Sequence, residues 1–321
     1  MTKYKIIVNP VSGRGMGERS IPLIETALRG YGLDFDLVRT ERMWHAAELA
    51  RQAASDGYDV VVAAGGDGTA NEVLNGLMLA KEAGHGGVAM NVISVGRGND
   101  LAFGMVMPKG VEAGCKVLAE GHRRLVDVGR LSAPAYGAPM YPGLYAHGRY
   151  FGNGVGVGFD AVVGFEAVKL KWLTGFPSYI VAVLKTVFLY YHAPLLRVEY
   201  DGEKITQLCL MVATMNGRRF GGGFMMAPQG EPDDGWFDCC IVRQVSRLRV
   251  FGIIPHFMKG TQATQPEVKM VQGRRIVITA EQGTIPAHID GETVCTEGQQ
   301  LTLELLPKQI EVICGTERAS A

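Results

Sequence analysis

One glycine-rich segment combines residue types that bind phosphate. Residues 65–69, Gly-Gly-Asp-Gly-Thr, follow the apolar run 60–64 and precede a helical pattern. Glycines allow positive φ and close backbone approach, and the N–H groups at a helix N-terminus attract phosphate. The segment therefore predicts a phosphate-binding turn between a strand and a helix. The alternative is an ordinary strand-to-helix turn in which Asp67 or Thr69 caps the helix.

Two further polar glycine turns follow other predicted strands. Residues 9–15, Asn-Pro-Val-Ser-Gly-Arg-Gly, come after the first strand, and residues 96–100, Gly-Arg-Gly-Asn-Asp, come after a later one. One ligand could contact all three turns, because the carboxyl ends of parallel strands meet at one edge of an open sheet. The GxxxxGK[ST] loop is absent and no GxGxxG follows a strand and opens a helix, which disfavours a standard NTPase or nicotinamide dehydrogenase.

Carboxylates that could act in catalysis or bind a metal ion lie in the second half of the chain. Asp290 is followed by glycine, so a turn could aim its side chain at a ligand, and the alternative is an Asp-Gly hairpin turn. Glu231, Asp233 and Asp234 lie in a loop rich in glycine and proline. Their hard oxygen ligands suit Mg²⁺. A solvated acidic loop is the alternative.

The elements that must position these residues change in type along the chain. The first 130 residues alternate short apolar strands with helical periodicity, which predicts a doubly wound parallel α/β domain. Beyond Val126, apolar runs separated by glycine turns predict an antiparallel β domain. A helical segment over residues 165–191 interrupts these runs, and strands over 301–306 and 310–314 end them.

Composition limits the class of protein. The 321 residues suffice for two domains, and 32 Lys+Arg against 32 Asp+Glu leave no net charge to hold a polyanion, so nucleic acid is not an expected partner. The six cysteines form no CxxC pair, which predicts reduced thiols and no zinc site. With no signal-peptide core and no apolar stretch long enough to span a bilayer, we expect a cytoplasmic protein.

An ordered set of motifs resembles the diacylglycerol kinase and sphingosine kinase catalytic-domain family, and the bacterial lipid kinases most of all. The motifs occupy residues 9–13, 65–76, 96–102, 158–161, 216–223, 227–228, 233–238 and 290–292. The resemblance spans essentially the whole chain, and the order of the motifs makes it specific. It implies an N-terminal doubly wound α/β nucleotide-binding domain over residues 1–128, with a C-terminal return over 303–321. It also implies a C-terminal antiparallel β-sandwich domain for substrate and metal over 129–302.

The resemblance implies a role for individual residues. The ATP contacts would be Asn9, Pro10, Val11, Ser12, Gly13, Thr40, Gly66, Asp67, Gly68, Thr69, Ala70, Asn71, Glu72 and Arg97. Asp290 would be the catalytic base, and Asp67 would orient the metal-nucleotide or share the proton role. Glu231, Asp234 and the Trp236 carbonyl would bind a second metal ion.

Two of these contacts have alternatives in the sequence. Arg97 stands where the family usually has threonine, so its guanidinium could bind phosphate through two bonds or point to solvent. Thr40 could instead cap the helix that follows it.

The resemblance implies a lipid kinase that uses ATP and Mg²⁺. Its acceptor would be the hydroxyl of a lipid such as diacylglycerol or a sphingoid base, reached by peripheral contact with a membrane, and a homodimer is compatible with it. An NAD kinase also has a Gly-Gly-Asp-Gly turn, but its Asn-Glu pair usually lies far downstream, whereas Asn71 and Glu72 follow the turn at once. A catalytically silent module that senses a nucleotide or a lipid is a third hypothesis, against which Asp67 and Asp290 argue.

Overall fold

The computed structural model describes residues 2–96, 98–132, 148–170, 176–189 and 191–316. The chain divides into two compact units. Unit 1 comprises Met1–Val128 and Pro307–Ala321, and unit 2 comprises Gly129–Leu306. The boundaries expected from the sequence lie after residues 128 and 302.

Unit 1 is built on a parallel sheet with helices packed against it. Its elements are β1 (Lys3–Val8), α1 (Ser12–Gly30), β2 (Asp34–Arg39), α2 (His45–Ser55), β3 (Val60–Gly65), α3 (Asp67–Glu82), β4 (Ala89–Ser94), α4 (Asp100–Gly104) and α5 (Val111–Glu120). The strand order is β2-β1-β3-β4, with every pair parallel. Helix α1 contacts α5 and helix α2 contacts α3. The predicted doubly wound α/β class is confirmed.

The burial of each strand of unit 1 follows from its sequence. Every residue of β3 and β4 is buried, as expected for uninterrupted apolar strands in the middle of a parallel sheet. Strand β2 lies at the edge and alternates exposed with half-buried residues. The core between the sheet and its helices includes Ile6, Ile24, Val62 and Ile93. Apolar burial therefore holds the carboxyl ends of β1, β3 and β4 side by side.

In its described residues, unit 2 is an antiparallel β structure with three α-helices. Its elements, together with the two strands that contain the unit boundaries, are β5 (Arg123–Ser132), β6 (Arg149–Phe151), β7 (Gly154–Gly158), α6 (Phe159–Lys169), α7 (Phe176–Leu189), β8 (Leu195–Tyr200), β9 (Glu203–Met215), β10 (Arg219–Phe220), β11 (Phe224–Met225), β12 (Phe237–Arg243), α8 (Arg247–Lys259), β13 (Val268–Gly273), β14 (Arg275–Gln282), β15 (Ile285–Ile289), β16 (Glu292–Gly298) and β17 (Gln300–Ile313). The strands run in the order β16-β15-β7-β9-β8-β14-β17, and β12 joins β9 to β13.

Two apolar clusters fill unit 2. One lies between strands and includes Phe151, Val212 and Ile278. The other packs the helices against the sheet and includes Val183 and Phe257. The predicted antiparallel β-sandwich is confirmed. No helix among the described residues is both long and apolar enough to cross a bilayer.

Three elements of unit 2 differ from the sequence-based expectation. The segment 165–191, predicted as one helix, contains the two helices α6 and α7, and residues 171–175 lie outside the described part. Helix α8 was not predicted, because Gly252 and Pro255 lower its helical propensity. It begins where the Ser246 hydroxyl accepts a hydrogen bond from the Arg249 N–H at 3.2 Å. The two strands expected at the C-terminus form one continuous strand, β17.

Helices α2 and α3 approach closely because α3 has a glycine at the contact. A Cβ atom on Gly76 would lie 2.2 Å from the Ala47 carbonyl oxygen. No side chain larger than hydrogen fits there without displacing the backbone of α2. Gly114 in α5 is different, since a Cβ there would meet Ile93 at an ordinary 3.5 Å.

We predict that Gly76→Ala lowers the free energy of unfolding by more than about 2 kcal/mol, because α2 and α3 must separate. Gly114→Ala, the matched control, should be neutral or stabilising, since alanine has the higher helical propensity. Urea unfolding of both variants checks this. Equal stabilities of the two variants would contradict the close approach.

All six cysteines are buried and free. Burial raises the pKa of the Cys239 thiol from 9.0 to about 12, and it raises the pKa of Cys115 to about 11. In the unfolded chain both thiols ionise near their ordinary pKa of 9.0. Below that pH both states are protonated. Above it, only the unfolded chain releases the protons and is stabilised.

We therefore predict that the free energy of unfolding falls as pH rises from about 9 to about 12. Each buried thiol contributes a slope of roughly 1.4 kcal/mol per pH unit within its window. Cys239→Ala should show a shallower fall in melting temperature between pH 9 and 11 than the native chain. Parallel curves for the two proteins would show that this thiol does not titrate as its burial requires.

Candidate functional site

The turns that follow β1, β3 and β4 meet in unit 1. A Cβ atom on Gly96 would lie 2.3 Å from the Cα of Gly66, and one on Gly66 would lie 3.6 Å from the Ser12 hydroxyl oxygen. The N–H groups of Val95 and Gly96 donate to the Gly65 carbonyl at 3.0 and 3.2 Å. The three glycine turns singled out in the sequence are thus in contact, and only hydrogen fits where two of them approach.

The turn after β1 has an unusual backbone. Gly13, Arg14 and Gly15 all have positive φ, at 57°, 61° and 82°. Asn9 connects this turn to its neighbour, since its amide nitrogen donates to the Thr69 hydroxyl at 3.0 Å. Successive left-handed residues next to a helix N-terminus can form a concave site for an anion.

Asp67 lies in the first turn of α3. Its Oδ1 accepts a hydrogen bond from the Leu101 N–H at 2.9 Å, so the carboxylate connects α3 to α4. Its Oδ2 lies 2.9 Å from the position of a Cβ on Gly98. The N-cap of α3 is Gly66, without a side-chain cap bond, so neither Asp67 nor Thr69 is the N-cap. The structure therefore places a carboxylate among the converging turns.

The remaining ATP contacts predicted in unit 1 occupy varied environments. Val11 is exposed, whereas Ala70 and Asn71 are buried. The Asn71 side-chain oxygen accepts from the Asn75 amide at 3.2 Å. Thr40 is buried and does not cap α2, whose N-cap is Trp44. The assignments of Pro10, Ser12 and Gly68 rest on their place in the turns.

The last two predicted ATP contacts are Glu72 and Arg97. Glu72 Oε2 accepts from the Ala46 N–H at 3.1 Å, at the N-terminus of α2. Arg97 lies outside the described residues. The whole set of ATP contacts stays a prediction.

In unit 2, Asp290 and Gly291 form the two-residue turn between β15 and β16. Their φ angles are 45° and 86°, as an Asp-Gly hairpin requires. The Asp290 carboxylate is buried and accepts hydrogen bonds from the N–H groups of Gly152, Asn153 and Gly154, at 3.1, 3.1 and 2.8 Å. Three backbone donors fix the position of the carboxylate. The alternative expected from the sequence, an Asp-Gly hairpin turn, is therefore correct for the backbone, and the same turn holds a buried carboxylate.

A buried pair lies beside this turn. His288 Nδ1 accepts from the Gly291 N–H at 3.4 Å, and His288 Nε2 lies 3.7 Å from Asp160 Oδ2. Burial raises the pKa of the Asp160 carboxyl, and its contact with His288 acts in the opposite direction. Phe220 meets the imidazole edge-on, with ring centroids 4.7 Å apart. Asp160 was not assigned a role from the sequence, although the motif at residues 158–161 contains it.

The acidic loop before β12 is tied to the rest of unit 2. Glu231 Oε1 accepts from Arg218 Nη2 at 2.8 Å, and Asp234 Oδ1 accepts from the Trp236 N–H at 2.9 Å. Burial raises the pKa of the nearby Asp238 carboxyl, and the charges of Asp234 and Glu231 raise it further. A cation held by these oxygens would relieve that repulsion, so the donor chemistry fits a hard divalent ion.

The geometry does not by itself identify a metal centre in this loop. Across the described residues, no group of three or more His, Cys, Asp and Glu side chains is arranged to hold a metal ion. The predicted site uses only two carboxylates, Glu231 and Asp234, with the Trp236 carbonyl. It stays a prediction.

Comparisons with known proteins agree across both units. Residues 3–131 match the family model described as the diacylglycerol kinase catalytic domain, and residues 153–314 match the YegS C-terminal NAD kinase beta sandwich-like domain. A diacylglycerol kinase of Staphylococcus saprophyticus is 27% identical over 291 residues, which cover 90% of this chain and 88% of the relative. One of Staphylococcus aureus is 28% identical, with 90% and 86% covered.

Solved structures share the fold. A diacylglycerol kinase from Bacillus anthracis superposes with a TM-score of 0.71 at 20% identity, with 98% of this chain and 97% of that chain covered. An NAD kinase from Archaeoglobus fulgidus in complex with ATP gives a TM-score of 0.53 at 15% identity, with 99% and 95% covered. The kinase family implies the use of ATP and usually of a divalent metal ion. The chain belongs to the family that combines a diacylglycerol kinase catalytic domain with a YegS-type β-sandwich, and it is a kinase, a phosphotransferase.

Proposed function

We propose that the protein transfers the γ-phosphoryl group of ATP to a lipid hydroxyl, such as that of diacylglycerol or a sphingoid base, with Mg²⁺ as the divalent ion. The observation that carries this proposal is the meeting of three glycine turns around Asp67 at the carboxyl edge of the unit 1 sheet. Relatives whose alignment covers 90% of this chain are diacylglycerol kinases, which supports a lipid as acceptor.

The turns of unit 1 are suited to a triphosphate. Gly66 and Gly96 lack side chains, which lets the turns after β3 and β4 pack against each other. Helix α3 begins at Asp67 and directs the positive end of its dipole toward the same turns. Asn9 and Ser12 add polar side chains beside them. These features together support ATP as the donor.

Phosphoryl transfer needs charge neutralisation, an acceptor in line with the phosphate, and a group that takes the acceptor proton. Mg²⁺ bound with the nucleotide would neutralise phosphate charge, and Asp67 would hold or orient that metal-nucleotide. The Asp290 carboxylate, held in place by three N–H donors, would take the hydroxyl proton. Glu231, Asp234 and the Trp236 carbonyl would hold a second cation with a structural role.

An NAD kinase activity is the second candidate, because the fold is shared with an ATP-bound NAD kinase. The two activities can be distinguished by incubating the protein with ATP, Mg²⁺ and either a total lipid extract or NAD. Mass spectrometry then identifies the products. Phosphorylated lipid supports the proposal. Phosphorylated NAD with unchanged lipid overturns it, and a protein that binds ATP but phosphorylates neither acceptor would be a sensing module.

We predict that Asp290→Asn lowers kcat by about 10²–10⁴-fold with ATP affinity unchanged, because the amide cannot take the acceptor proton. Asp201→Asn is the matched control. Asp201 and Gly202 form the same kind of turn between β8 and β9, with φ of 42° and 94°, and the Asp201 carboxylate accepts the N–H groups of Arg274 and Arg275 at 2.9 and 3.0 Å.

Steady-state kinetics and calorimetric titration with ATP check this prediction. Asp201→Asn should keep full activity with a comparable loss of thermal stability. Turnover by Asp290→Asn at the native rate would remove Asp290 as the base. An equal loss of activity in both variants would mean that the effect comes from weakened hairpins.

We predict that Gly96→Ala weakens ATP binding at least ten-fold, because its methyl group would lie 2.3 Å from the Gly66 Cα and must force two turns apart. Gly30→Ala is the control, since a Cβ atom at Gly30 meets nothing within 4 Å. Calorimetric titration with ATP measures both. Native affinity in the folded Gly96→Ala variant would show that the approach of the turns does not form the nucleotide site.

A further inference from the structure

Helix α7 is apolar on two opposite faces. One side packs into unit 2 through Ser178, Ala182, Val183, Thr186 and Val187. The other side carries Pro177, Val181, Leu184 and Phe188, at the spacing of one helical stripe. Leu184 is 42% exposed and Phe188 is 61% exposed. The outward face of a helix at a protein surface is normally polar, so this stripe requires an explanation.

Helix α8 extends this apolar surface. The ring of Phe188 lies against that of Phe251, with centroids 5.9 Å apart. One turn earlier in α8, Leu248 is 81% exposed. We call the surface formed by Leu184, Phe188, Leu248 and Phe251 the α7–α8 patch.

The charged residues of the two helices themselves all have one sign. The 14 residues of α7 and the 13 of α8 include no Asp or Glu, while they include Lys185, Arg247, Arg249 and Lys259. Two of these cations have carboxylate partners, since Lys185 pairs with Glu166 and Arg249 pairs with Glu267. Arg247 and Lys259 are exposed.

Arg247 lies next to Leu248 in the chain and above the Tyr191 ring, 5.9 Å from its centroid. The patch is thus apolar in its middle and cationic at its border. A bilayer that contains anionic phospholipid offers the complementary arrangement, with hydrocarbon below a layer of negative headgroups.

We infer that the α7–α8 patch docks on a membrane surface that contains anionic phospholipid. Leu184, Phe188 and Leu248 enter the headgroup layer, and Arg247 contacts lipid phosphate. This inference rests on the proposed function, because a kinase that acts on a lipid hydroxyl must reach a substrate held in a bilayer. The inference adds which surface of the protein contacts the bilayer and which headgroup charge that surface prefers.

The test measures binding of the full chain to vesicles by co-sedimentation, without ATP. Vesicles are of phosphatidylcholine alone or of phosphatidylcholine and phosphatidylglycerol in a two-to-one ratio. The native chain should bind the mixed vesicles more tightly, and added salt should reduce the difference. Leu248→Ser should weaken binding about ten-fold, and Arg247→Glu, a reversal of two charge units, roughly thirty-fold. The double variant Leu184→Ser with Phe188→Ser should weaken it at least ten-fold.

Matched controls lie in unit 1. Leu23→Ser removes a helical leucine of α1 that is 40% exposed, and Arg51→Glu reverses an exposed charge on α2. Both should bind mixed vesicles as the native chain does. Because Leu248 is the most exposed of the patch side chains, its replacement should leave the circular dichroism spectrum unchanged.

A second measurement separates this inference from the proposed function. Activity on a water-soluble short-chain diacylglycerol should be equal in native and patch variants, whereas activity on long-chain diacylglycerol in vesicles should fall with binding. Loss of vesicle binding in the patch variants, with no lipid phosphorylated by any of the proteins, would support the docking surface and overturn the proposed function.

Other results would overturn the docking surface itself. A native chain that does not bind mixed vesicles, or patch variants that bind as tightly as the native chain, would do so. So would patch variants that convert a dimer to a monomer while vesicle binding stays the same, since the patch would then be a subunit interface.

Discussion

The approach of two polypeptide backbones at Gly66 and Gly96 is the constraint on which the arrangement of the three glycine turns in unit 1 depends. A Cβ atom on Gly96 would lie 2.3 Å from the Gly66 Cα and would displace that turn, whereas one on Gly66 would lie 3.2 Å from the Gly96 Cα, a tight contact. Two neighbouring strands, β3 and β4, hold the turns in place because all of their residues are buried. The meeting point of the turns thus derives its position from an apolar core, and its close packing from the absence of a side chain at Gly96.

The Asp-Gly turns at residues 201 and 290 show how one local sequence can serve two purposes. Both place the aspartate at positive φ in a two-residue hairpin, and both carboxylates accept backbone N–H groups. Asp201 is exposed at the edge of its hairpin, whereas Asp290 is buried and receives three donors. The buried His288 and Asp160 pair lies beside the second turn alone. Local sequence determines the hairpin. The packing around the hairpin determines whether its carboxylate is exposed to solvent or buried among other polar groups.

Helices α6 and α7 of unit 2 are joined by a buried carboxylate, a group whose burial without a partner costs free energy. Glu166 is buried in α6, and burial acts to raise its pKa, yet hydrogen bonds from Lys169 and Lys185 leave the pKa lowered overall. One carboxylate therefore joins α6 to α7 while remaining charged. The orientation of α7 therefore places Lys185 against that carboxylate. That orientation exposes the apolar stripe of α7 to solvent.

Periodicity in the sequence determined the order and type of most elements, including the parallel strands, helices α2 and α5 and the antiparallel second half, because apolar spacing reports local geometry. The glycine turns and the motifs around them also determined the kinase class. Helix α8, with an internal glycine and proline, depended on packing that no local pattern encodes. The same holds for Glu72, which lies in a nucleotide motif yet accepts a bond from Ala46, and for Asp160, which meets His288 across 128 residues of chain. Contacts between distant segments decide what a side chain faces, since local propensity has no information about which partner will fold beside it.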